Sequence, residues 1–322
     1  NLVLILFDFY GRDLAKYSII RSIIGLTSYP ENLSFGILNS TLMNPNYISG
    51  FAGALTAFFL TKALIYTGKK RTFHAVLSVL SFIVILASLS TSGFLSFLAL
   101  IPIIALIAFI KKRGIKTLFT SLIILSCFCV SFLVLYTHTN RVWDETIGFF
   151  TGRAQSLTEE LAVQQDDNDE FTLSNIKQTA SSGRVYIWRK TIELIKERPL
   201  LGYGHDTLLY HFSQFDPEQA ENLGFLSLVT KPHNMYLEVA FGSGLIALIS
   251  LLALLILHLF HTTKTIIKGN NDKTRFSASI LVFWCAFLLQ CLFNDSLIGT
   301  SPIFWILFGV AVSFNSSLKL SN

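Results

Sequence analysis

Charged residues are scarce in this sequence of 322 residues. Only 14% of the residues are charged and 52% are hydrophobic, whereas soluble domains typically carry about 25% charged residues. The hydrophobic residues stand in long runs and not in amphipathic stripes. This composition excludes an ordinary soluble domain and predicts helices that cross a lipid bilayer.

Cysteine is also rare, and its positions suit neither of its usual structural roles. Cys127, Cys129, Cys285 and Cys291 all fall within apolar runs, where a free cysteine behaves as a small apolar residue. The sequence therefore predicts no disulfide framework, and no Cys/His spacing is typical of a zinc site. An initiator methionine and a signal peptide are absent as well, so we expect a fragment that lacks earlier helices.

Apolar runs long enough to approach the ~20 residues of a bilayer span define the domain organisation, and residues 2–7 are typical of the end of another span. The predicted spans lie near 47–66, 73–90, 93–110, 116–137, 235–260, 276–293 and 301–317. We expect an N-terminal transmembrane block (1–137, with an outer loop at 8–46), a polar loop (138–234) and a C-terminal transmembrane block (235–322). The predicted fold is an all-α polytopic membrane protein, a transmembrane helix bundle with a large, partly helical extracytoplasmic loop.

Lysine and arginine are missing from the turns at 91–92 and 294–300, and this absence orients the chain. The alternating turns, at 69–71, 111–116 and 264–275, are basic. The positive-inside rule places the basic turns in the cytoplasm and the polar loop outside. These cytoplasmic flanks account for the net charge of +5, so the charge does not indicate nucleic-acid binding.

The polar loop contains an acidic stretch followed by a predicted amphipathic helix. The acidic residues 166–170 lack the glycine and the distal glutamate of a calcium-binding EF-hand loop, so a solvated loop is favoured over a metal site. Residues 182–198 have helical periodicity, with Ser182 as a plausible N-cap and Pro199 as the stop. The predicted apolar face of this helix consists of Val185, Trp188, Ile192 and Ile195.

His233 is the first candidate for chemistry, because it stands with Asn234 at the mouth of a predicted span. The positive end of a helix favours a neutral imidazole, which can accept a proton as a general base. The alternative interpretation is a histidine that caps the helix. Glu238 lies one turn into the span, a costly place for a carboxylate, so we expect it to face the protein interior or the outer cavity near His233.

Arg184 and Arg189 are the second candidate, since both lie near the start of the predicted amphipathic helix. A guanidinium group binds phosphate oxygens bidentately and stays charged at any working pH. The alternative is a surface helix whose cations contact lipid headgroups or neighbouring carboxylates. Asn294 and Asp295, in an outer turn, are expected to form a helix end or a second polar wall.

Three motifs together resemble the O-antigen ligase and polymerase superfamily. They are Ser182-Gly-Arg-Val-Tyr-Ile-Trp188, Glu197-Arg-Pro-Leu-Leu-Gly-Tyr-Gly204, and His233-Asn234 followed by Gly244. Asn44-Pro-Asn-Tyr47 is similar to that family's upstream segment. The resemblance implies a metal-independent, inverting glycosyltransferase of the GT-C type in the bacterial cytoplasmic membrane. Its donor would be an undecaprenyl-diphosphate-linked glycan and its acceptor a glycan or a lipid-linked sugar.

The resemblance also implies essential roles for Arg184 and His233, on the extracytoplasmic face and without a cofactor or metal. We expect Arg189, Asn234, Tyr203 and Glu238 to bind substrate. One departure concerns the arginine that members often carry after the serine near residue 92, where this chain has Ser92-Gly93. Either another cation serves the diphosphate or activity is altered. The cations we consider are Arg12, Arg141 and Arg189.

The predicted activity is polymerisation of surface-polysaccharide repeat units. A ligase that passes finished glycan to lipid A core, a wall polymer or a protein would use the same chemistry. A transporter of lipid-linked sugars is less favoured, because transporters place ionisable residues near the bilayer midplane and these spans are nearly free of such charge.

Overall fold

The computed structural model describes residues 2–12, 14, 17–24, 44–111, 114–151, 182–214, 217, 219, 223, 228–269, 271–296 and 301–319. The acidic stretch 166–170 lies outside these residues. Within them the chain is folded into helices. We number these α1 (Leu2–Phe9), α2 (Ser18–Ile24), α3 (Pro45–Ile65), α4 (Gly68–Ala87), α5 (Thr91–Ile110), α6 (Ile115–Tyr136), α7 (Arg141–Asp144), α8 (Ser182–Glu197), α9 (Leu208–His211), α10 (Met235–Lys268), α11 (Asp272–Gln290) and α12 (Ser301–Lys319).

Five of the described helices are long and apolar enough to cross a membrane. They are α3, α4, α5, α6 and α10, and each overlaps a predicted span. The prediction of an all-α polytopic membrane protein is confirmed. The two remaining predicted spans overlap α11, whose first turn is charged, and α12, whose apolar part is shorter. Their assignment as spans stays a prediction.

The chain divides into two compact units. The first comprises Asn1–Leu157, His261–Gln290 and Ile298–Asn322, and the second comprises Thr158–Phe260 and Cys291–Leu297. The first unit therefore contains most of the long helices. The second contains α8, α9, the larger part of α10 (up to Phe260) and the turn that follows α11.

The first unit is built around α3, which packs against α4, α5 and α11. Small residues make this close packing possible, as in many helix pairs within membranes. A side chain at Gly53 would meet the carbonyl of Gly93 on α5, and one at Gly93 would collide with Ser49 on α3. The backbones of α3 and α5 therefore approach each other where both helices carry glycine.

A neutral polar network joins the first turns of α3 and α5 to the end of α11. The Gln290 amide donates to the carbonyl of Asn46 at 3.0 Å and accepts from Ser96 at 3.1 Å. The Ser90 hydroxyl donates to the Asn46 side chain at 2.7 Å. Ser92 lies within this network, 3.3 Å from the Gln290 amide nitrogen. Ser92 and Gly93 thus contact uncharged groups, whereas the adjacent Thr91 hydroxyl donates to the Glu145 carboxylate.

The second unit has its own hydrophobic core, which α8 forms with α9 and α10. Tyr186, Ile187 and Ile195 of α8 are buried there with Phe212 and Phe241. The predicted helix is confirmed, but its predicted apolar face is partly wrong. Val185 and Ile192 are exposed, because the helix is apolar on more than one side and periodicity alone does not decide which side turns inward.

The long helix α10 is interrupted at Gly244, whose φ of 83° and ψ of 173° are not helical. Only glycine adopts this region readily, and a side chain here would collide with the carbonyl of Leu200. The loop after α8 replaces the lost helical bonds. Leu245 N–H donates to Pro199 O at 2.7 Å, and Tyr203 N–H donates to Phe241 O at 2.8 Å. Backbone groups freed within a membrane helix are thereby satisfied by protein.

Gly244→Ala should lower the free energy of unfolding by about 1–3 kcal/mol, the cost of a residue forced into this backbone region. The measurement is the midpoint of thermal unfolding in detergent. The matched control is Gly309→Ala on α12, where a side chain would meet nothing within 4 Å and alanine improves helix propensity. Equal midpoints for the two variants would contradict the structural role of Gly244.

Candidate functional site

His233 occupies the turn before α10 in a conformation that exposes its side chain. Its φ is 51°, a left-handed backbone that is uncommon for residues other than glycine. The imidazole is 47% exposed. The Asn234 side chain, in contrast, accepts hydrogen bonds from the backbone N–H groups of Tyr236 and Leu237. Capping of α10 is therefore the role of Asn234, which leaves the His233 ring available for other contacts.

Asp295 is the partner of His233. The His233 Nδ1 atom lies 2.7 Å from Asp295 Oδ2, and the Asp295 side chain is only 2% exposed. Because a carboxylate is an acceptor, it favours the imidazole tautomer that carries its proton on Nδ1. The Nε2 atom of this partly exposed ring then keeps a free lone pair. This arrangement is suited to accepting a proton from an external hydroxyl.

The turn that carries Asp295 is fixed to the start of α10 by further hydrogen bonds. Met235 N–H donates to Cys291 O at 3.0 Å and to Asn294 O at 3.2 Å. The Asn234 amide donates to Leu292 O at 3.0 Å. These bonds tie the two residues that follow His233 to the segment that leads into Asp295, so hydrogen bonds of the neighbouring residues support the 2.7 Å pair.

Trp188 connects the helix of Arg184 to this pair. Its indole N–H donates to Pro232 O at 2.9 Å, and its ring lies 6.2 Å from that of Phe293. Residues four apart share one face of a helix, so Arg184 and Trp188 lie on the same side of α8. Arg184 is half-buried in the first turn of α8. The Trp188 side chain thus links α8 to the His233 turn and to the Asp295 turn.

Lys231 and Glu238 form an ionic group beside the His233 turn. Lys231 Nζ lies 3.2 Å from Glu238 Oε1 and 3.2 Å from Asp206 Oδ1. Although partial burial opposes ionisation, these carboxylates raise the pKa of Lys231 above its ordinary value, so the ammonium group stays protonated. Glu238 therefore has a cationic partner, which offsets the cost of its place in the first turn of α10.

Tyr203 packs against α10 in the described structure. Its ring stacks on that of Phe241 with centroids 5.2 Å apart, and the Arg198 guanidinium lies 4.7 Å above it. Its hydroxyl donates to Glu197 at 2.6 Å, which raises the pKa of Tyr203. These contacts explain the position of Tyr203 without a substrate, and the predicted binding role stays a prediction.

The remaining candidate cations are all at the surface. Arg189 is exposed on α8, with its guanidinium 5.8 Å from the ring of Tyr186. Arg12 and Arg141, in the first unit, are exposed as well. The role of these three cations toward the diphosphate stays a prediction.

Sequence reasoning did not assign Asp295 and Trp188 their places in the site. Asp295 stands 62 positions from His233, and no pattern within one element relates them. The signal in the sequence that could have pointed to Asp295 was a carboxylate at the end of a predicted span. Trp188 was attributed to the apolar face of α8, and its position four residues after Arg184 was the signal for a shared face.

The fold and this site together define a multi-pass membrane protein with a buried carboxylate and an exposed histidine at the start of one long helix. The family model described as O-antigen ligase matches residues 76–252. The match covers more than half of the chain, and the chain belongs to this family. The matched residues include Arg184 and His233, whereas Asp295 lies beyond them. A comparison with curated proteins finds no match.

Membership in this family confirms the resemblance found in the sequence. It assigns the chain to membrane enzymes of the O-antigen ligase and polymerase type, which act on lipid-linked glycans in polysaccharide biosynthesis.

Proposed function

We propose that this chain polymerises surface-polysaccharide repeat units on the extracytoplasmic face of the bacterial inner membrane. It would transfer a growing glycan from an undecaprenyl-diphosphate carrier to a sugar hydroxyl of an acceptor repeat unit. The observation that carries the proposal is the pair of His233 Nδ1 and buried Asp295 Oδ2 at 2.7 Å. The chemistry of that pair is general-base activation of a hydroxyl.

In the proposed reaction His233 is the general base. Its Nε2 atom removes the proton of the acceptor hydroxyl while the oxygen attacks the anomeric carbon of the donor. The new glycosidic bond forms as the bond from that carbon to the diphosphate oxygen breaks, with inversion. Asp295 keeps Nδ1 protonated beforehand and stabilises the imidazolium that results, as the aspartate does in a serine-protease triad.

Arg184 is proposed to bind the leaving diphosphate. Charge grows on the bridging oxygen as the bond to the sugar breaks, and a guanidinium offers two parallel donors to phosphate oxygens. A lipid diphosphate is already an activated leaving group, so we propose no metal and no cofactor. Arg189 is the second cation on α8, and Glu238 with Asn234 would orient the glycan or the His233 turn.

A ligase is the second candidate, because the matched family carries that description. The two activities are separated by expressing the full-length protein in a strain that lacks it. Single repeat units in the deletion strain and a ladder after complementation support a polymerase. A normal length distribution that stays on the lipid carrier in the deletion strain supports a ligase. An unchanged polysaccharide in the deletion strain contradicts both.

Asp295→Asn should lower the transfer rate by about 10²-fold or more, because an amide no longer fixes the tautomer of His233 or stabilises its imidazolium. The measurement is the rate of transfer from a purified lipid-linked donor, together with the thermal unfolding midpoint of the same protein in detergent.

The matched control is Asp206→Asn, which removes an exposed carboxylate that contacts Lys231. We expect this variant to keep the wild-type transfer rate. A reduced rate in Asp295→Asn that comes with a clearly lower unfolding midpoint would indicate that Asp295 only supports the fold.

A further inference from the structure

A group of cations surrounds Tyr66 at the opposite end of the first unit from the Asn46 network. We call Lys62, Tyr66, Lys70, Arg71 and Arg275 the Tyr66 cluster. The Lys62 and Lys70 ammonium groups lie 5.7 Å and 5.8 Å from the Tyr66 ring. Arg71 donates to the Tyr66 carbonyl at 3.0 Å. Arg275 joins the cluster through Asp272, whose carbonyl accepts from the Tyr66 hydroxyl at 3.5 Å.

The Tyr66 cluster has too few anions for its cations. Of the residues that the structure describes, only Asp272 supplies a carboxylate, and it pairs with Arg275 at 3.2 Å while being 68% exposed. Arg71 donates to neutral oxygens alone, the carbonyl of Tyr66 and the hydroxyl of Thr117. Lys62, which is half-buried, contacts aromatic rings and no described carboxylate. Like charges held this close repel unless an anion joins them.

A neighbouring lysine shows how the same end of the protein satisfies a cation by itself. Lys111 is buried, and its ammonium group donates to the carbonyls of Ile266 and Gly269 at 2.6 Å each. Those carbonyls end α10, where a positive charge is favourable. The ammonium groups of Lys62 and Lys70 have no such carbonyl acceptors among the described residues. The lysines of the Tyr66 cluster therefore lack the carbonyl partners that an ordinary lysine at a helix end has.

Hydrogen-bond donors and helix termini at the cluster also favour an anion. The helices α4, α6 and α11 begin at this end, and each contributes the positive end of its dipole. Thr117 in α6 and Asp272 in α11 are in contact with cluster residues. The buried Nε of Arg275 has no hydrogen-bond partner in the described part of the chain, nor has Nδ1 of His74. His74 is 9% exposed, and its ring lies 5.8 Å from Tyr66.

We propose that the Tyr66 cluster is a binding site for the phosphate group of an anionic phospholipid. It lies at the ends of α3, α4 and α11 that the basic turns assign to the cytoplasm, where anionic headgroups attract basic residues. Arg71 and Arg275 would supply paired N–H donors to phosphate oxygens. Lys62 and Lys70 would add charge, and the half-buried Lys62 would acquire the counter-ion that the protein lacks there. This site differs in its residues and its chemistry from the His233–Asp295 pair.

The test measures binding of phosphatidylglycerol to the purified full-length protein in neutral detergent, by native mass spectrometry and by the thermal unfolding midpoint. Phosphatidylcholine and inorganic phosphate are the comparison ligands. We expect phosphatidylglycerol to bind and to raise the midpoint, and phosphatidylcholine to do so much less. If inorganic phosphate alone raises the midpoint, and the same variants abolish this effect, the cluster still binds phosphate. Its ligand is then a soluble phosphate group and not a phospholipid.

Lys70→Gln is the first variant, because Lys70 is exposed and makes no hydrogen bond on which folding depends. Each cation removed from the cluster should weaken binding about fivefold, so Lys62→Gln/Lys70→Gln should weaken it further. The matched control is Lys116→Gln, an exposed cation in the first turn of α6 at the same end. Equal losses for Lys70→Gln and Lys116→Gln, or no preference for phosphatidylglycerol over phosphatidylcholine, would overturn the proposal.

Discussion

His233→Ala is expected to lower the rate of glycan transfer by about 10²–10⁴-fold, the usual contribution of a general base. The alanine enzyme cannot remove the proton of the acceptor hydroxyl, yet it keeps the cap of α10, because Asn234 makes those bonds. Donor binding should therefore change little, and the loss should fall on the turnover rate. The measurement is single-turnover transfer from a purified lipid-linked donor at matched protein levels.

The matched control is His205→Gln in the same unit. His205 is exposed, and its Nε2 atom lies 2.8 Å from the Ser243 hydroxyl, which a glutamine can still contact. We expect near wild-type transfer from this variant. A His233→Ala enzyme as active as His205→Gln would remove the base from the mechanism and leave His233 as a turn residue.

Arg184→Gln should lower the transfer rate by about 10²–10³-fold, the typical effect of deleting one group that stabilises developing charge. In the proposed mechanism the guanidinium binds the diphosphate most strongly when its bridging oxygen becomes negative. Arg184→Lys should recover part of the activity, because a lysine keeps the charge but loses the paired donors. The same single-turnover measurement applies, with donor affinity determined separately.

Lys196→Gln, at an exposed position in the last turn of α8, removes the same charge from the same helix and should leave the rate unchanged. A weaker donor affinity with a normal turnover rate in Arg184→Gln would indicate ground-state binding instead of transition-state stabilisation. Full activity of that variant would return Arg184 to the role of a surface cation.

The sequence predicted the elements of this protein far better than the contacts between them. The apolar runs placed α3 to α6 and α10 because a bilayer span demands about 20 apolar residues, a signal carried by each segment alone. The helix α8 was predicted by its periodicity and by Pro199 at its end. The side of α8 that is buried was not predicted, since Val185 and Ile192 are as apolar as the buried Ile187 and Ile195.

For the candidate site, residue types and motif order identified Arg184 and His233, but not what holds them. The sequence offered capping of α10 as an alternative role for His233. In the structure its neighbour Asn234 caps the helix. The Asp295 contact depends on how the chain returns after α11. Such a contact is decided by tertiary packing, which no local pattern encodes.

The interruption of α10 at Gly244 has a consequence for where the reaction takes place relative to the lipid. Beyond Gly244 the uncharged stretch from Leu245 to Thr263 is about 28 Å long at ~1.5 Å per residue, close to the ~30 Å hydrocarbon thickness. This part can span the bilayer alone. The arm before Gly244, with Glu238 and the His233 turn, need not enter the hydrocarbon. In the proposed mechanism the lipid-linked donor presents its diphosphate at headgroup depth, while its lipid tail stays dissolved in the leaflet.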